Sequence, residues 1–162
     1  MAATHQFSES NTVSETITDG ITNLNFGSND SVNLNTTTYP ITRGNSSFEK
    51  YIRAKFTGTF TTISNMLFWK SAGALVTGEV IKCAYNASFA TPSATANGDS
   101  AVPTTSGGSS AIQSAEGAAT IVYGASGVSG YTKYLRLQLD TTGSTPSGAV
   151  NQKTFTFQYD EV

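Results

Sequence analysis

From Thr154 to Tyr159 the chain alternates without a break: Phe155, Phe157 and Tyr159 are aromatic, while Thr154, Thr156 and Gln158 are polar. A period of two places the rings on one face of an extended strand and the polar groups on the other. A slip of one residue would turn all three rings to solvent, so this register is firmly set. A similar alternation runs from Phe48 to Phe56, with Phe48, Ile52, Ala54 and Phe56 toward a core and Glu49, Tyr51, Arg53 and Lys55 outward. Lys50 falls on the inner side near the strand start, where its long stem can carry the ammonium out to water. Gly78–Tyr85 sets Val80, Lys82 and Ala84 against Ile81, Cys83 and Tyr85. Tyr131–Asp140 sets Tyr131, Lys133, Leu135, Leu137 and Leu139 against Tyr134, Arg136 and Gln138.

No segment repeats apolar residues at three- and four-residue spacing over several turns, so no helix is expected. Shorter runs at Thr59–Ile63 and Met66–Lys70 read as strands, as do the alternating positions Val32 and Leu34. Turn chemistry separates them at Gly27–Asp30, Tyr39-Pro40, Arg43–Asn45, Gly58, Ser71–Gly73 and Thr141–Ala149. Roughly eight to ten short strands without intervening helices indicate an all-β fold, an antiparallel β-sandwich of jelly-roll or immunoglobulin-like order. Residues 1–20 are polar with isolated apolar positions at Phe7, Val13 and Ile17, and read as an extended N-terminal arm or an edge strand. Residues 21–162 then form a single domain. Within it, about 91–130 is rich in Gly, Ser, Thr and Ala and reads as long loops around short strands at Ala111–Gln113 and Thr120–Tyr123. Long loops of this kind are where partner contacts are expected.

The composition narrows the function. Only 12% of residues are charged and the net charge is −2, so the chain is polar rather than highly charged and is expected to fold. Its nine Lys and Arg residues are scattered and the pI is near 5.2, which argues against a nucleic-acid partner. No run approaches the roughly 20 apolar residues of a membrane span. The first residues show neither a basic region nor an apolar stretch, so no signal peptide is expected and synthesis in a cytoplasm is. A lone cysteine, Cys83, leaves no intramolecular disulfide to form.

Catalytic constellations are not visible. His5 is the only histidine, so Cys83 has no neighbouring base and a Ser-His-acid triad would have to use a residue at the chain's start. Zinc ligands are too few. Asn29, Asp30 and Asn33, or Asp19, are the calcium candidates, but the twelve-residue loop with its closing Glu is absent and turn hydrogen bonds explain these residues. Gly124–Gly130 lacks the Lys-Ser/Thr ending of a phosphate loop. No catalytic, cofactor-binding or metal residue is assigned, no cofactor is expected, and the chain does not read as an enzyme. Trp69 lies in Met66–Lys70, whose consecutive apolar residues suggest a strand buried on both faces. A ligand platform and a subunit contact are its other readings.

Several segments resemble small virion structural proteins of tailed bacteriophages: Ile21–Ser28, Phe48–Phe56, Met66–Ser71, Tyr134–Leu139 and Phe157–Glu161. The resemblance spans about Ile21 to Val162 and rests on strand framework residues. It implies a capsid decoration, or cement, protein on the outer surface of a virion. The major capsid protein would be its partner, and a homotrimer its assembly. Phe7, Val13, Ile17 and Trp69 are the candidate contact residues. The alternative is a fibre or tail-associated module that recognises a host surface glycan or receptor.

Overall fold

The alternating segments fold as antiparallel strands that assemble into two sheets. The computed structural model describes residues 3–58, 60, 62–106, 121–122, 130–148 and 151–161. The strands are β1 (Thr4–Asn11), β2 (Thr16–Asp19), β3 (Lys50–Thr57), β4 (Thr62–Ala72), β5 (Glu79–Asn86), β6 (Ser100–Ala101), β7 (Ile121–Val122), β8 (Gly130–Tyr131), β9 (Tyr134–Thr141) and β10 (Thr154–Glu161). The larger sheet runs β2-β1-β3-β9-β5-β6, with β8 also paired to β3; the smaller runs β10-β4-β7. No α-helix occurs among the described residues, in line with the missing helical spacing. The expected strand at Ala111–Gln113 lies outside the described residues.

The sheets face each other through the residues that the alternation turned inward. Ile52, Ile81, Cys83, Leu135, Leu137 and Leu139 of the larger sheet meet Phe68 of β4, and Phe155 and Phe157 pack on this cluster. A second cluster joins Ala54, Phe56, Ile63 and Met66 to Tyr159. Cross-strand pairs on one face are the unit of sheet stability. Here Leu137 is opposite Cys83, and Leu139 is opposite Ile81. The turn into β5 requires Gly78: its φ is 75°, and a Cβ would stand 2.1 Å from the Thr142 hydroxyl.

Within the segment 1–20, Thr4–Asn11 and Thr16–Asp19 are strands of the main sheet. β1 pairs with β3 from Thr4–Thr57 to Ser10–Tyr51, and β2 closes the edge. Of the two sequence readings, arm or edge strand, the structure shows the strand, because the extended backbone finds a full ladder on β3.

Four sequence expectations are corrected. Lys50 does not reach water: it is 1% exposed, and its ammonium meets the equally buried Glu9 carboxylate at 2.7 Å. Residues 21–49 cover that end of the sheet and close the route out, with Ser31 O accepting a second bond from Lys50 at 2.8 Å. Tyr51 and Glu49 do not face solvent, because residues 87–99 fold over the sheet's other face. Tyr51 is fully buried against Phe89, ring centroids 5.1 Å apart, and Glu49 accepts hydrogen bonds from Ser93 N and Asn97 Nδ2. Val32 and Leu34 form no strand, since Asn33 takes a left-handed φ of 51° that breaks an extended run. Finally, the Tyr131–Asp140 run is interrupted at Thr132. There the Thr132 hydroxyl accepts from Ala54 N in place of a backbone carbonyl and divides β8 from β9.

Candidate functional site

Two features of this frame can meet a partner: a cleft at one end of the sandwich and the hairpin at the sheet edge. Part of the inner face is covered by the irregular segment that holds Ile21, Leu24, Phe26 and Ile41, all half-buried against the core. Between this segment and the start of β10 lies a cleft of about 1140 Å3. Its floor is apolar, with Ile52, Phe68, Ile81 and Leu139, and Phe26 and Phe155 stand at its sides. Asn23, Asn25, Asn151 and Gln152 are also among its lining residues. One ion pair also lines it: Lys153 Nζ meets Glu79 Oε1 at 2.6 Å, with the side chains 7% and 1% exposed.

The hairpin turn between β1 and β2 carries Thr12 and Glu15 at positive φ, 66° and 53°. Such conformations need outside support in residues with side chains. Asp30 supplies it by accepting from Thr12 N at 2.8 Å, and the Tyr134 hydroxyl supplies it by donating to Glu15 Oε1 at 2.6 Å. Arg53 lies between two rings, 4.3 Å from the Tyr131 centroid and 4.5 Å from that of Tyr134. Burial, and then the Glu15 carboxylate, push the Tyr134 phenol up to about 12. The turn is thus pinned from beneath, while apolar side chains of the hairpin project: Val13 in the turn is 79% exposed and Ile17 on β2 is 42% exposed.

Asp19, at the end of β2, is held below the ordinary carboxyl value by hydrogen bonds from Lys55 and then Ser8. A lowered carboxyl stabilises the fold above its unfolded value of about 4 and loses that effect as pH falls through the folded one. Asp19→Asn is therefore expected to lower the urea midpoint slightly at pH 7, and its gap from wild type should close below about pH 3. A gap that persists at pH 2 would mean that charge pairing at Asp19 contributes nothing.

The four residues singled out in the sequence do not form one site. Val13 and Ile17 share the hairpin. Phe7 turns inward, its ring 5.7 Å from that of Phe157, and belongs to the core. Trp69 is opposite Thr156 in the smaller sheet. The reading of a strand buried on both faces is corrected there: Met66 and Phe68 are buried, whereas Leu67 and Trp69, which alternate with them, are half-buried. Of the calcium candidates, Asp30 holds Asn11 and Thr12, and Asp19 holds Lys55 and Ser8. No group of three His, Cys, Asp or Glu side chains suited to a metal occurs among the described residues. Cys83 is buried, and burial pushes its thiol up to about 12, so little thiolate forms near neutral pH. His5 Nδ1 lies 3.2 Å from the Tyr159 hydroxyl.

The cleft and its Glu79–Lys153 pair had no signal in the sequence beyond isolated charged residues at strand ends. No protein-family model, curated protein or solved structure matches the chain. The class that its own geometry defines is an antiparallel, two-sheet β-sandwich protein.

Proposed function

We propose that the chain is a non-enzymatic virion structural protein, a decoration protein that binds the outer surface of a tailed-phage capsid and stabilises the lattice. The observation that carries this reading is the edge hairpin, whose supported turn presents Val13 to solvent and whose strand β2, the last of the larger sheet, presents Ile17. Exposed apolar side chains beside an open strand edge are a surface that a protein partner covers. The major capsid protein is that partner. A homotrimer presents three hairpins at once, and weak contacts repeated over a lattice add through multivalency.

The test is co-sedimentation with capsids stripped of this chain. Burying Val13 and Ile17 is worth at most about 1.5–3 kcal/mol each. Replacing both with Asp is expected to weaken lattice binding at least tenfold while circular dichroism and the melting temperature stay unchanged. Full binding by the double variant would remove the hairpin from the interface. A second reading, recognition of a host surface glycan by a fibre or tail module, is favoured by the cleft. Its lining combines Asn and Gln residues, whose amides can bond sugar hydroxyls, with the apolar Phe26 and Phe155. Binding to host polysaccharide but not to capsids would select it.

A further inference from the structure

One polar cluster on the inner face of the main sheet is used by neither the hairpin surface nor the cleft. The β1–β3 ladder sets Glu9 opposite Ile52 and Ser10 opposite Tyr51. Asn11 and Lys50 are the next residues along the two strands. The alternation that turns Phe7 to the core also turns Glu9 and Asn11 inward. All three polar residues are buried, with Glu9 and Lys50 at 1% and Asn11 at 4% exposure.

Their contacts converge on a single atom. Glu9 Oε1 lies 2.7 Å from Lys50 Nζ and accepts from Asn11 Nδ2 at 2.9 Å. Asn11 Nδ2 also donates to Asp30 Oδ1 at 2.8 Å, and two carboxylate acceptors fix which way the amide is turned. That orientation leaves Asn11 Oδ1 buried without a hydrogen bond. An ion pair needs only Glu9 and Lys50. It gives no reason to hold an amide beside them with its carbonyl oxygen orphaned, an arrangement that costs stability.

We propose that Lys50 and Asn11 join in an intramolecular isopeptide bond after folding, with Glu9 carrying the protons. Glu9 takes a proton from the Lys50 ammonium and leaves a neutral amine. The Nζ lone pair forms a bond to Asn11 Cγ, and the carbonyl pair moves onto Oδ1. Glu9 then delivers its proton to Asn11 Nδ2, which it already touches, and takes a second proton from Nζ. The carbonyl re-forms, the Cγ–Nδ2 bond breaks, and its electron pair leaves with the nitrogen as ammonia. The products are a secondary amide, one ammonia and a protonated Glu9, so no buried charge is left without a partner. No oxidant or further reactant is required. The fold supplies proximity and keeps water away from the reacting carbon.

The experiment is intact mass spectrometry of the purified, denatured full chain, followed by protease digestion. The expected mass lies one ammonia below that of the sequence, counted with or without Met1, and the digest contains a branched peptide joining Asn11 to Lys50. Lys50→Arg keeps a cation beside Glu9 but has no amine nucleophile, and should return the full mass in a chain still folded by circular dichroism. Glu9→Gln, without a proton carrier, should do the same. A wild-type chain at full mass overturns the proposal. So does an ammonia loss that persists in Lys50→Arg, which would place it elsewhere, as by ring closure at Asn97-Gly98. Loss of water instead of ammonia would put the bond on a carboxylate and overturn the assignment to Asn11. If Lys50→Arg fails to fold, the branched wild-type peptide decides alone.

Discussion

Truncating Phe56 to alanine is expected to lower the unfolding free energy by about 3–5 kcal/mol. The side chain is fully buried and sits where the two sheets meet. Its ring centroid is 4.8 Å from that of Tyr159, 6.2 Å from Phe60 and 6.4 Å from Phe157, so it touches β10 and the crossing between β3 and β4 as well as its own strand. Those neighbours belong to separate elements and cannot collapse together into the space left behind, which keeps the cost near the top of the range. A domain holds about 5–15 kcal/mol in all, so the variant should unfold at much lower urea than wild type. A loss below about 1 kcal/mol would contradict the packing of the smaller sheet onto the larger one.

The second large effect is electrostatic. Lys153→Met is expected to cost about 3–5 kcal/mol, because it leaves the Glu79 carboxylate buried without its cation. Glu79 would keep only the hydrogen bond from Val76 N at 2.9 Å among the contacts seen here. Replacing both partners, as Glu79→Gln with Lys153→Met, should recover much of the loss, since no charge then remains to be paired. A double-mutant cycle in urea measures this directly. Equal losses in the single and double variants would mean that Lys153 acts through its stem rather than its charge.

The parts of the fold that were legible are those a period of two encodes within one segment. The rings of β10 and the leucines of β9 point where their alternation put them, because each strand face is set locally. What covers a face is not local. Glu49 and Tyr51 read as outward residues and Gln138 falls on the face opposite the leucines, yet Gln138 is fully buried. Its amide reaches Ser47 O and Thr95 O, and Asn97 N donates to its Oε1. The covering segment has no periodic pattern to announce it. The buried ion pairs were hidden for the same reason, since Glu9 and Lys50 stand 41 residues apart and Glu79 and Lys153 stand 74 apart. Only the placement of Lys50 on an otherwise inward face hinted that it had a partner inside. Of the contact candidates, Val13 and Ile17 showed as apolar residues in a polar stretch, whereas Phe7 looked the same and proved to be core. The difference lies in placement: Phe7 is on β1 opposite Ala54 of β3, whereas Val13 is in the turn and Ile17 on the edge strand β2.

The central claim, that this chain decorates a capsid lattice, is tested most directly by counting copies. Quantitative mass spectrometry of purified particles gives the ratio of this chain to the major capsid protein. A ratio of the order of one chain per capsid subunit, fixed from one preparation to the next, is the predicted result. A handful of copies per particle would contradict it and would move the chain to the tail or a fibre.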